Sequence, residues 1–148
     1  MPKIIDLPPL WLIGFLGLVW LIGRALPLPL FGPLGDVAAA VLLVVALALA
    51  GGAVLAMAQA RTTVIPHRQP AALVTHGVFR LSRNPIYLAD AGILLAAILW
   101  LDVPLALPLV PLFQIMIRER FIRAEEARLR AGFGAEFDRW SSHVRRWL

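Results

Sequence analysis

The chain has 148 residues, of which 60% are hydrophobic and only 16% are Asp, Glu, Lys or Arg, and its mean hydropathy is +0.81. Soluble domains carry roughly 25% charged residues, so this composition predicts an all-α integral membrane protein rather than a soluble globule. The formal net charge is +5, with 13 of the 14 basic residues arginine, and the absence of cysteine excludes disulfides, thiolate catalysis and Cys-ligated metals.

The first apolar stretch, Leu7 to Gly23, contains no charge and lacks a clear small-residue cleavage site after it, so it reads as a retained span rather than a signal peptide. The segment RALPLPLFGPLGD follows, whose prolines and glycines predict a loop or a short interfacial piece. Val37 to Ala58 is an uncharged run of 22 residues, about 33 Å as a helix and enough for a bilayer core. The glycines of GFLG and GG read as sites of close helix contact.

Residues 59–85, QARTTVIPHRQPAALVTHGVFRLSRNP, are broken by prolines and by Gly77. Asn84-Pro85 is a helix start, with asparagine suited to capping and proline to the first turn. A helix N-terminus there is electropositive and suits an acceptor group on a ligand. Tyr87 and Arg83 at this position also have plain readings, as an interfacial aromatic and a membrane anchor. Asp90 reads equally as a ligand contact or as a first-turn helix charge.

Ile86 to Trp100 and Val103 to Ile117 are two shorter apolar runs separated by Leu101 and Asp102. They predict a tight helical hairpin, because Asp102 at the centre of one long helix is expensive in lipid and Pro104 favours a break. About four transmembrane helices result. Lys3 precedes the first span, Arg24 follows it, Arg61, Arg68, Arg80 and Arg83 lie between the second and third, and eight arginines follow the fourth. The positive-inside rule then puts both termini and residues 59–85 in the cytoplasm, next to anionic phospholipid headgroups.

The tail, RERFIRAEEARLRAGFGAEFDRWSSHVRRWL, carries two periodicities. Glu119, Arg123, Glu126 and Arg130 recur at 4, 3 and 4 residues and line one helical face, either as solvated ion pairs or as ligand contacts. Phe133, Phe137, Trp140, Val144 and Trp147 recur at 4, 3, 4 and 3 and predict a C-terminal cytoplasmic amphipathic helix, with Gly132 and Gly134 forming the joint before it. His67, His76 and His143 lack metal-ligand spacing, so no metal site is expected; no nucleotide loop, serine elbow, nucleic-acid motif or strand–helix alternation is present.

LVTHGVFRLSRNPIYLAD, an apolar hairpin, and RERFIRAEEARLRAGFGAEFDRW in that order resemble the isoprenylcysteine carboxyl methyltransferase family, which is related to the membrane phospholipid methyltransferases. The resemblance covers roughly residues 61–147. Gly77, Phe79 and Arg80 match the opening of the first family motif, and Arg83, Pro85 and Tyr87 its Arg-His-Pro-x-Tyr core. Asn84 replaces the histidine, as in many bacterial members, and Ala89 replaces a glycine. Glu125 and Glu126 match the Glu-Glu pair of the second motif and Phe133-Gly134 its turn, while Trp140 falls where tyrosine often occurs.

The resemblance implies one domain over 1–148, with a two-span region at 1–58 and a cofactor-binding and catalytic core at 59–148, in a bacterial inner membrane. It implies S-adenosylmethionine held by His76, Gly77, Phe79, Arg80, Arg83, Asn84, Pro85, Tyr87, Asp90, Glu125 and Glu126. The substrate it implies is a membrane lipid or a lipidated small molecule or peptide. A prenylcysteine-type carboxylate is already ionised near pH 7 and needs only orientation, by Arg120 or Arg123. A phospholipid amine must lose a proton, to Glu119 or Glu126. A non-catalytic lipid-binding or membrane assembly protein is the alternative from another class.

Overall fold

The computed structural model describes residues 7–62 and 69–148, and within them the chain is helical with no strands. Lys3, His67 and Arg68 lie outside the described residues.

Helix α1 (Pro8–Ala25) begins with Pro8 and Pro9, where missing N–H groups cost nothing, and meets its first charge at Arg24 in the last turn. Helix α2 (Gly32–Gln59) starts five residues before the apolar run, so Gly32 to Asp36 are helical and the predicted loop shrinks to residues 26–31. The cause lies 70 residues away. The Asp102 carboxylate accepts the N–H groups of Leu30, Phe31 and Gly32 at 2.8, 2.9 and 3.1 Å, satisfying donors that the helix start leaves orphaned.

Asp102 occupies the turn after helix α3 (Pro85–Trp100), with φ +51°, and a 3₁₀ turn at Pro104–Ala106 leads into helix α4 (Leu109–Ile117). The predicted hairpin is therefore present. Its second arm begins later than the sequence suggested, because Pro104 and Pro108 break the backbone before Leu109.

No break separates α4 from helix α5 (Arg123–Phe133), but the intervening Arg118–Ile122 forms a π-helical turn. Gly134, at φ +50° and ψ −120°, supplies the joint to helix α6 (Ala135–His143), a conformation suited to glycine. Helix α6 ends before Val144, which is extended. The aromatic series from Phe133 to Trp147 therefore does not lie on one helix. Phe133 belongs to α5, and Val144 and Trp147 follow α6 as a strap across the bundle.

Helix α3 is the centre of the molecule. On one side it meets α2 through small residues: Ala39, Ala46, Ala53 and Ala56 of α2 are buried, as are Ala89 and Ala96 of α3. A Cβ added at Gly92 would lie 3.3 Å from the Ala46 Cβ, so backbones approach closely there. On the other side Leu12, Phe15 and Val19 of α1 join Leu94 and Ile98 of α3, Phe113 and Ile117 of α4, and Phe121 and Ile122 in one core. The Phe15 and Phe113 rings meet edge to face at 5.3 Å.

Of the glycines expected at helix contacts, only Gly52 is at one, its absent Cβ standing 2.9 Å from Val78 Cγ1. Gly14, Gly17 and Gly51 face open space, because the helix faces that carry them point away from the bundle. Among the described residues, α1 and α2 are the two helices long and apolar enough to cross a membrane, at about 27 and 42 Å. Helix α3 is apolar but only 16 residues long. The outward faces of α1 and α2 expose Ile13, Leu21, Leu34, Val41 and Leu47, an apolar sheath far larger than soluble monomers leave in water.

Candidate functional site

A cavity of about 320 Å³ opens at the end of the bundle where α1 and α3 begin and α2 finishes. Its wall takes Pro8 and Pro9 from α1, Met57 from α2, Leu73 and Val74 from the approach segment, and Glu125, Glu126 and Leu129 from α5. Phe137 and Trp140 of α6 complete it. The start of α1 and the strap after α6 thus lie at the same end, the one that also carries residues 69–85.

The first motif is built locally. Gly77, at φ +60°, turns the chain into a short 3₁₀ segment, Gly77–Arg80, that buries Phe79 against Ala53 and Ala56 of α2. Ser82 is fully buried. Its hydroxyl accepts the Asn84 N–H at 3.1 Å and donates to the Arg146 carbonyl at 3.2 Å. That first contact is an i,i+2 side-chain turn, which stops the 3₁₀ segment and sets up Pro85 as a helix start. Asn84 does not cap α3 with its side chain, as its position suggested. Its amide instead donates to the Arg146 carbonyl at 3.0 Å, because the strap lies there as a part-buried acceptor.

The second motif meets the first through two carboxylates. Tyr87 Oη donates to Glu125 Oε1 at 2.7 Å, and the Tyr87 ring lies 6.4 Å from that of Phe121. Glu126 is shared by two arginines. Arg146 donates from Nε and Nη2 to its two oxygens at 2.9 and 2.7 Å, while Arg83 Nη1 stands 3.4 Å from Oε1. Arg83 Nε is buried with no hydrogen-bond partner among the described residues. Burial pulls the Arg83 guanidinium below its usual pKa, with Glu126 opposing the shift, whereas the hydrogen bonds to Glu126 raise that of Arg146.

Helix α6 is held over the cavity from both sides. Trp140 Nε1 donates to the Phe79 carbonyl at 3.3 Å. Across the Gly134 joint, Arg130 pairs with Asp138 at 2.8 Å and lies 5.2 Å over the Phe137 ring.

Of the residues expected to bind a cofactor, Phe79, Arg83, Asn84, Pro85, Tyr87, Asp90, Glu125 and Glu126 line this one cavity. His76, Gly77 and Arg80 are exposed and outside it. Glu119, Arg120 and Arg123, expected to orient or deprotonate an acceptor, are also outside. Glu119 pairs with Arg118 and Arg123 at the surface, and Arg120 lies 5.0 Å over the Trp11 ring. The π-helical turn accounts for Glu119 and Arg120, since its wider turn rotates residues before Ile122 away from the face that carries Glu126. Arg123 lies in α5 itself and is held at the surface by Glu119. Ser82 and Arg146 were not singled out by sequence reasoning. The side-chain turn in Ser82-Arg83-Asn84-Pro85 was a local sign of the first, whereas Arg146 finds its carboxylate 20 residues back and leaves no sign.

Compared with known proteins, residues 35–136 match the sequence profile of the phospholipid methyltransferases, more than half of the chain. The chain belongs to the phospholipid methyltransferase family. That family includes isoprenylcysteine carboxyl methyltransferase-like members, so the resemblance carried by the two motifs and the profile agree. A relative from Haemophilus influenzae, an uncharacterized protein, is 43% identical over 63 residues, which is its whole length and 43% of this chain. No solved structure matches. Family membership and the two long apolar helices together make this a membrane protein of the methyltransferase class.

Proposed function

We propose that the protein transfers a methyl group from S-adenosylmethionine to a lipid-like acceptor at the membrane surface. The carrying observation is the convergence of Arg83, Tyr87, Glu125 and Glu126 on one cavity between two sequence motifs. The cavity volume falls within the roughly 300–1,000 Å³ usual for small-molecule sites. The donor set fits the cofactor. Arg83, with its unpartnered Nε, would hold the carboxylate, and Glu125 and Glu126 would accept from the ammonium or the ribose hydroxyls. Phe79, Pro85 and Leu129 offer the flat ring an apolar wall.

S-adenosylmethionine, when bound, supplies an electrophilic methyl carbon on a sulfonium. The residues around it would contribute alignment and electrostatics beneath the α5–α6 roof. In this reading α1 to α4 form four crossings, with α3 and α4 as a short hairpin. The arginine distribution supports a cytoplasmic position for both termini and the cavity, and the resemblance to bacterial members supports an inner membrane.

One observation favours an amine acceptor over a prenylcysteine carboxylate. Asp90, one turn beyond Tyr87, lines the cavity with no hydrogen-bond partner among the described residues. It would attract a protonated amine, repel a carboxylate, and serve as proton acceptor where Glu126 has both oxygens engaged and Glu119 is paired outside. The arginines that would orient a carboxylate, Arg120 and Arg123, are outside the cavity as well.

The test supplies purified protein in nanodiscs with methyl-labelled S-adenosylmethionine and either phosphatidylethanolamine or a prenylcysteine. Label in the amine lipid, lost in Asp90→Asn, is expected. Label confined to a base-labile prenylcysteine ester would reverse the acceptor assignment, and label in neither would contradict the function.

A further inference from the structure

The family profile stops at residue 136, yet the strap that follows α6 makes four contacts with the cavity motifs. Its Arg145 carbonyl accepts the Arg83 N–H at 2.9 Å. Its Arg146 carbonyl accepts from Ser82 Oγ and Asn84 Nδ2 at 3.2 and 3.0 Å. The Arg146 guanidinium grips both oxygens of Glu126, and Trp147 packs against the main core. Backbone, side chain and core contacts together make this a fixed element rather than a loose end.

From this arrangement we infer that the strap is part of the cofactor site and that Arg146 is a positioning residue that keeps Arg83 free for the ligand. Glu126 has one carboxylate and two arginines beside it. The Arg146 fork takes both oxygens in the bidentate geometry that binds strongest. Arg83 is left with a 3.4 Å approach through Nη1 and an Nε that is buried without an acceptor among the described residues. Without Arg146 the Arg83 guanidinium would turn onto Glu126, satisfy that Nε, and withdraw from the cavity. The strap thus resolves a competition between two cations for one anion in favour of the ligand.

The inference rests on the proposed S-adenosylmethionine site, and the experiment separates the two. Binding of S-adenosylmethionine to the full chain in nanodiscs is titrated for the parent, Arg146→Ala, Arg146→Lys, Glu126→Gln and the double variant Glu126→Gln/Arg146→Ala. Thermal unfolding of each is recorded alongside. Arg146→Ala should weaken binding about tenfold, the scale of one charge-assisted hydrogen bond. Lysine, a point charge that cannot fork, should recover only part of it.

The deciding readout is coupling. With Glu126 neutralised there is no anion for Arg83 to turn onto, so removing Arg146 should add little further loss. General loosening of the fold would not produce that pattern. Additive losses, or parent-like binding by Arg146→Ala, would overturn the inference while leaving the cofactor site standing. If Arg146→Ala fails to fold, Arg146→Gln, which keeps one donor and most of the side chain, is read in its place against the same criteria. A parent that does not bind S-adenosylmethionine would remove the proposed function and this inference together.

Discussion

Replacing Tyr87 by phenylalanine isolates one hydrogen bond at the meeting of the two motifs. The ring is 7% exposed and packed beside Phe121, so phenylalanine keeps the packing and deletes only the hydroxyl that donates to Glu125 at 2.7 Å. A hydrogen bond to a charged group is worth about 1.5–3 kcal/mol net, and the lower end applies because Glu125 is half-buried and water can replace the lost donor. If Tyr87 holds Glu125 in the orientation that receives the cofactor, about 1.5 kcal/mol appears as a roughly tenfold weaker dissociation constant. Calorimetric titration of S-adenosylmethionine into nanodisc-embedded parent and variant reads this directly, with the unfolding midpoint as a control. Affinity within twofold of the parent would refute the idea that this contact organises the site.

Two further outcomes test the scaffold. The Asp102 carboxyl is held below its usual pKa by the backbone N–H groups of Leu30 and Phe31, so its contribution is present at neutral pH and fades as pH falls through the folded-state value, below 3.8. The parent should unfold at higher temperature than Asp102→Asn at pH 7, with the gap closing in acid; a gap independent of pH would contradict the cap. Gly92→Leu should cost about 1–3 kcal/mol of stability by forcing α2 from α3 at Ala46, while Gly17→Ala, with open space around it, should cost none. Equal unfolding midpoints for these two variants would contradict the packing described for α3.

Much of this architecture was legible because it is local. Proline and Asp102 marked the hairpin turn, Gly134 marked the joint, and the apolar runs marked α1 to α3. What escaped were pairings distant in sequence. Asp102 looked like a charge that lipid would reject, and nothing within its own segment shows that it caps α2 from 70 residues away. The charged face read at helical spacing grouped Glu119 and Arg123 with Glu126; the π-helical turn at Arg118–Ile122 separates Glu119 from Glu126, and Arg123, though in α5, pairs outward with Glu119. The aromatic spacing from Phe133 to Trp147 ran through two breaks that only backbone geometry reveals. Arg146 was hidden for the same reason, since a helix continued through Val144 would carry it elsewhere.

The most direct measurement is equilibrium binding of S-adenosylmethionine to the purified protein in nanodiscs, beside Arg83→Ala checked for parent-like helicity. Saturable binding by the parent and its loss in Arg83→Ala is the predicted result, because Arg83 brings to the cavity a buried donor with no partner among the described residues. A well-folded parent that binds no S-adenosylmethionine, or an Arg83→Ala variant that binds it as tightly as the parent, would contradict the account.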